Sequence, residues 1–145
     1  MMNNDGVWQM IIANEIKYVV NGKITASEVA NVFIASGIKR PSEDLNRIQR
    51  MIDQADITVT AWNQDKMVGI ARAITDFSYC CYLSDLAVDQ KYQKMGIGKK
   101  LIQFVKDEIG DEVSLILLSA PSAMEYYPRI GLEKLDNAFG IKRKK

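Results

Sequence analysis

Leu86-Ala87-Val88-Asp89-Gln90-Lys91-Tyr92-Gln93-Lys94-Met95-Gly96-Ile97-Gly98-Lys99-Lys100-Leu101 passes from an apolar run through a polar turn to two glycines, and then into residues with helical spacing. Glycine tolerates positive φ and lets backbone approach a ligand closely, so successive N–H groups in this loop can curl around an oxyanion. The free amides and dipole of the helix that follows point into the same space. The segment therefore reads as strand, anion-binding loop and helix, a chemistry suited to a pyrophosphate. Lys94, Lys99 and Lys100 add positive charge, either as phosphate contacts or as the solvated surface of the helix. Two other nucleotide loops do not fit. The pattern GxxxxGK followed by Ser or Thr is missing, and QxxGxG lacks the third glycine of a dinucleotide fingerprint.

Outward from the loop, the order of elements carries the fold. Glu15 to Val20 reads as a strand closed by the turn signal Asn21-Gly22. Thr25 with Glu28 three residues later is a capping box, and its helix can end at Gly37. Pro41 and Ser42 open a second helix, in which Leu45, Ile48, Met51 and Ile52 recur at helical spacing. Ile57 to Trp62, Met67 to Thr75 and Tyr79 to Val88 form three strands of an antiparallel meander, because their connections are short. After the glycines, Ile97, Leu101, Phe104 and Val105 mark one helix face, ending near Gly110. Val113 to Leu118 is a buried strand by length, reached by a parallel crossover. A short helix begins at Pro121 and stops before Pro128, followed by strands at Leu132 to Leu135 and Ala138 to Lys142. The expected fold is α/β: a central mixed, mostly antiparallel sheet flanked by about four helices.

The chain of 145 residues fits one domain, 1–145, with 1–12 as an N-terminal extension and 142–145 as a basic tail. Hydrophobic residues make up 48% and charged residues 26%, the profile of a globular protein and not of a disordered one. Apolar runs are only strand-length, so no membrane span is expected. The patch Met10-Ile11-Ile12-Ala13 has no basic flank, so a cytoplasmic protein is the default expectation. Net charge is +1, but Lys142-Arg143-Lys144-Lys145 supplies four positive charges, and residues 1–141 are net negative. Nucleic-acid binding would rest on that tail alone, which reads more simply as a solvated terminus. Cys80 and Cys81 are adjacent and point to opposite faces of a strand, so they read as free thiols packed in the core. No metal site is expected. The sequence contains no His, which leaves no imidazole to activate a thiolate.

The QxxGxG loop after the strand ending Leu86-Ala87-Val88 resembles the signature of the GNAT superfamily of acyl-CoA N-acyltransferases. That signature is Gln or Arg, two residues, Gly, one residue, then Gly or Ala, after the fourth strand. Tyr126-Tyr127-Pro128-Arg129-Ile130-Gly131-Leu132 looks like the family's late motif, a Tyr four residues before Gly and an apolar residue. Gly69-Ile70-Ala71-Arg72-Ala73 and Asp85-Leu86-Ala87-Val88 look like small bacterial and plastid members. The resemblance implies an acetyl-CoA co-substrate, transfer of its acetyl group to a primary amine of unknown identity by direct attack through a tetrahedral intermediate, and strands that splay after the meander. By position it implies backbone contacts from Leu86 and Val88 to the pantetheine arm, which can pair with a strand edge. Pyrophosphate contacts are implied from the amides of Gln93, Lys94, Met95, Gly96, Ile97, Gly98 and Lys99. The chain departs from the family at Ala120-Pro121-Ser122, where many members carry an Asn, and at Pro128.

Tyr127 is, by the same resemblance, the general acid that protonates the departing thiolate; otherwise it is a core aromatic with a capped hydroxyl. Asp85 is a candidate base acting through a water, or a holder of the substrate ammonium, or else an ion-paired or helix-capping carboxylate. Strand alternation turns it away from Leu86 and Tyr82 unless a bulge re-aims it. Arg72 and Asp76 read as structural or turn residues. The amine pocket is expected near Ser36-Gly37-Ile38-Lys39-Arg40, with Phe33 and Tyr82 as walls. A non-catalytic acyl-CoA sensor of the same fold is the rival reading. A homodimer is the general expectation for a soluble chain.

Overall fold

The computed structural model describes residues 15–145; the apolar patch at Met10–Ala13 and the extension 1–12 lie outside the described residues. The elements run β1 (Lys17–Val20), α1 (Ala26–Ser36), α2 (Leu45–Asp53), β2 (Ile57–Asn63), β3 (Lys66–Thr75), β4 (Cys80–Val88), α3 (Ile97–Ile109), β5 (Ser114–Leu117) and α4 (Tyr126–Arg129). Local chemistry accounts for several boundaries. The Glu28 amide donates to Thr25 Oγ1 at 3.1 Å and the Thr25 amide to Glu28 Oε1 at 3.0 Å, closing the capping box that starts α1. Gly37 ends α1 with φ 83°, a left-handed conformation that costs glycine nothing. The second helix starts later than the Pro41-Ser42 signal. Asp44 caps α2 by accepting from the Arg47 amide at 3.0 Å, a bond Pro cannot make and Ser42 does not.

The five strands lie in sequence order, with β1 to β4 antiparallel and β5 parallel to β4. One sheet face packs on α3 through Leu101, Ile102 and Val105 against Val59, Ala71 and Leu83. The other packs on α1 and α2 through Val29, Phe33 and Ile48 against Met67, Ile70 and Ala87. No described helix is long and apolar enough to cross a membrane.

Four sequence expectations are corrected. Cys81 is buried as expected, but Cys80 is exposed, because the strand alternation that places one thiol in the core turns its neighbour out. The late helix is split into a turn of 3₁₀ helix at Pro121–Ala123 and α4. Pro128 lies inside α4, and it is tolerated there because first-turn amides have no helical partner to lose. Residues 132–135 and 138–142 form no strand. Short alternating runs become strands only when a neighbouring strand takes their backbone groups, and none does so here.

Candidate active site

The glycine loop has the geometry of an anion cradle. Lys94 and Gly96 both have positive φ, 68° and 81°, which turns the chain sharply into α3. No side chain caps α3, and its first backbone bond runs from the Lys100 amide to the Gly96 carbonyl at 3.1 Å. The amides of Ile97, Gly98 and Lys99 therefore have no partner within the helix and face outward at its positive end. The two glycines serve different purposes. A Cβ on Gly96 would meet nothing within 4 Å, so glycine is needed there for its backbone angle. Gly98 is helical, and a Cβ on it would lie 2.6 Å from the Tyr126 hydroxyl oxygen, so glycine is needed there for space. The Gln93 amide is already engaged, donating to the Gln90 carbonyl at 3.4 Å, so the free part of the loop begins at Lys94. The Gln93 side chain holds the loop to the strand, its Nε2 donating to the Val88 carbonyl at 3.0 Å.

Beside this cradle lies an open strand edge. β4 pairs with β5 only from Cys80–Ser114 to Leu83–Leu117, and beyond that the two strands part. On its other side β4 bonds to β3, and the Asp89 amide donates to the Val68 carbonyl at 2.8 Å. Because backbone groups alternate sides along a strand, Asp85 and Ala87 also face β3, while Leu86 and Val88 turn theirs to the open edge. The structure thus brings the Leu86 and Val88 amides into the gap between β4 and β5, adjoining the free amides of α3.

A bulge sets what faces which way. Ala73 pairs with Leu83 and Arg72 with Asp85, so Ser84 is an extra residue on β4. Before the bulge Cys81 and Leu83 point to the α3 side, and after it Leu86 and Val88 do. Asp85 and Ala87 are thereby turned to the α1–α2 side, the side that Tyr82 also faces. Asp85 is fully buried there between two guanidinium groups. Arg40 Nε donates to Asp85 Oδ1 at 2.6 Å, and Arg72 Nε donates to Oδ2. Arg40 also donates to the Ser84 carbonyl at 2.8 Å, and Arg72 to Ser84 Oγ at 3.1 Å. The candidate base is therefore an ion-paired carboxylate sealed from water, with each oxygen already engaged. Sequence reading missed Arg40 as its partner; nothing local signals a contact between residues 45 apart.

Tyr127 and Tyr126 pack edge to face, with ring centroids 5.3 Å apart. Burial raises the Tyr127 phenol above its ordinary value, the neighbouring Tyr126 raises it further, and the Arg40 guanidinium pulls the other way. Burial also raises Tyr126, whose hydroxyl lies over Gly98 while the Lys99 amide favours its ionised form. Of the expected pocket walls, Phe33 is wholly buried in the core and cannot touch a substrate. Tyr82 is 41% exposed, beside Ile74 and Ile116.

The chain is similar to known acetyltransferases in sequence and in fold. A soybean (Glycine max) histone acetyltransferase, TAP1, is 33% identical over 72 residues, which is 48% of this chain and 31% of that protein. The chain thus aligns with about a third of that relative's length. A probable acetyltransferase of unknown function from meticillin-resistant Staphylococcus aureus has the same fold, with TM-score 0.78 at 20% identity over 90% of this chain and 99% of that one. So has an aminoglycoside N-acetyltransferase solved in complex with CoA, with TM-score 0.66 at 14% identity over 90% and 96% of the two chains. The description of the acetyltransferase (GNAT) domain matches residues 24–141, and the chain belongs to that family.

Proposed function

We propose that the protein is an N-acetyltransferase that moves the acetyl group of acetyl-CoA to a primary amine. The observation that carries this reading is the alignment of two sets of unused amides, those of Leu86 and Val88 on the β4 edge and those of Ile97 and Gly98 at the uncapped start of α3, where the Lys99 amide is engaged by the Tyr126 hydroxyl. A molecule with a pyrophosphate at one end and an amide-bearing arm at the other matches both sets at once. The CoA-bound structural relative accords with that choice. Acetyl-CoA supplies an activated thioester, so the chain itself needs to orient, polarise and manage protons. The β4 edge holds the arm, and the Leu86 amide polarises the thioester carbonyl as negative charge develops on it. Tyr127 protonates the departing sulfur. Asp85 does not take the amine's proton, because both its oxygens serve Arg40 and Arg72. Its role is to hold the residue 36–40 segment against the β4 bulge through Arg40. The amine then enters in its neutral form, its ammonium proton having passed to solvent, and the further proton that its nitrogen sheds after attack on the thioester returns through solvent to the Tyr127 phenolate and restores the acid.

The test is thiol release from acetyl-CoA in the presence of polyamines, arylalkylamines, aminoglycosides and peptide amines. Amine-dependent release with a matching acetylated product is expected. CoA binding with no release for any amine would leave the rival sensor reading. In the same assay Gly98→Val is expected to weaken CoA binding at least about tenfold in a protein that still melts cooperatively, since the branched side chain collides with Tyr126 and fills the cradle. Calorimetric titration measures it, and unchanged affinity would remove the loop from the site.

A further inference from the structure

The chain that forms the anion cradle runs through solvent. Gln93, Lys94, Met95 and Gly96 are all exposed, and Ile97 is the first buried residue after Asp89. Lys94 has φ 68° there, a conformation that a residue other than glycine does not favour by itself. Something outside the loop must therefore hold its path. The 3₁₀ turn Gln90–Tyr92 is the last fixed point before it. That turn closes on Asp89, whose carbonyl accepts from the Tyr92 amide at 2.8 Å and whose Oδ1 accepts from the Lys91 amide at 2.9 Å. The turn joining β2 to β3 grips it at both ends. At one end Lys66 Nζ lies 3.5 Å from Oδ2 of the buried Asp89. At the other, Asn63 Nδ2 donates to the Tyr92 hydroxyl at 2.8 Å, and Lys66 Nζ stands 5.7 Å from the centre of the Tyr92 ring.

We infer that Asn63 and Lys66 are positioning residues: through the 89–92 turn they set the course of the glycine loop, so that the cradle is formed before CoA arrives. The inference rests on the reading of that loop as the CoA pyrophosphate site. Asn63 and Lys66 are register partners at the end of the β2–β3 hairpin, and both strands lie in the interior of the sheet, so one firm support supplies both contacts. The Lys66 charge serves two partners, the buried Asp89 carboxylate that would otherwise lack a counter-charge and the negative face of the Tyr92 ring. Tyr92 is thereby fixed at its hydroxyl and at its ring, two residues before Lys94. A loop that has to find its shape on binding spends part of the interaction energy on ordering itself. The effect of the clamp therefore belongs in CoA binding and not in the chemical step, and its loss should raise KM for acetyl-CoA while kcat at saturation stays.

Calorimetric titration of CoA into the full chain, beside steady-state kinetics, tests this with Asn63→Leu, Tyr92→Phe and the two together. Asn63→Leu keeps the shape of the side chain and Tyr92→Phe deletes one oxygen, so the fold is retained. Each single variant is expected to weaken CoA binding about three- to tenfold, the worth of one such hydrogen bond, and to raise KM for acetyl-CoA with kcat near normal. The double variant should lose no more than either single one, because both remove the same bond. Unchanged affinity in the single variants, losses that multiply in the double one, or a fall in kcat with KM unmoved would overturn the inference. Lys66→Met should weaken binding in the same sense, whereas Lys66→Arg keeps a cation for Asp89 and for the ring and should not; equal losses in both would remove Lys66 from the assignment. A wild type that binds no CoA would sink the reading of the loop instead, and hydrogen exchange then judges the clamp by itself. The amides of Lys91, Tyr92 and Gln93, which donate within the turn, should exchange faster in both single variants, and unchanged exchange would overturn the clamp.

Discussion

Replacing Tyr127 by Phe is expected to lower kcat by about 10²–10⁴-fold with little change in KM for acetyl-CoA, the loss typical of a removed general acid. The substitution deletes one oxygen and keeps the ring that packs on the core and on Tyr126. Burial and Tyr126 hold the phenol above its ordinary value of about 10, so it remains protonated across the working pH range. Transfer to a thiolate of ordinary pKa near 8.5 is uphill, and the Arg40 guanidinium reduces that gap by favouring the phenolate. The sign of the pH dependence follows. Loss of the acid belongs above pH 10, so between pH 6 and 9 the rate should rise with pH as the amine loses its proton. Tyr126→Phe is the control. Its hydroxyl lies over Gly98 at the start of α3, so its removal should act on KM for acetyl-CoA and leave kcat near normal. Wild-type kcat in Tyr127→Phe would sink the assignment, and a kcat loss confined to Tyr126→Phe would move it one residue upstream.

Asp85→Ala is expected to destabilise the fold by about 3–5 kcal/mol, because it strands two guanidinium groups that share one buried carboxylate. Against a total stability of about 5–15 kcal/mol this is a large fraction, and the melting temperature should fall by roughly 10–20 °C. Arg72 bears most of the cost, since its side chain is 10% exposed, whereas Arg40 at 26% can turn to solvent. A catalytic base would behave in the opposite way, with intact melting and lost turnover per folded molecule. Thermal melts read beside kcat corrected for the folded fraction separate the two. A melting temperature within a few degrees of wild type would show that the cluster does not support the fold.

Much of this protein was legible without coordinates, and the legible parts share a physical origin in short-range chemistry. The Thr25–Glu28 box, the Gly37 stop and the Ile97–Gly110 helix rest on hydrogen bonds and periodicities a few residues long. The loop from Leu86 to Lys99 was readable because a glycine pair between strand and helix leaves amides without local partners, whatever the rest of the chain does. The tertiary structure decided the remainder. Ser84 bulges only because β3 and β4 settle into a register with one residue to spare, and that spare residue turns Asp85 towards Arg40 and Arg72. Which tyrosine lies over Gly98 depends on how α4 packs across the start of α3. The segments 132–135 and 138–142 carry strand-like alternation, yet a strand exists only where another offers its backbone. Local sequence determines which conformations a segment favours; long-range packing determines which side chains meet, and at this site the Arg40–Asp85–Arg72 contact and the open β4 edge are both of that second kind.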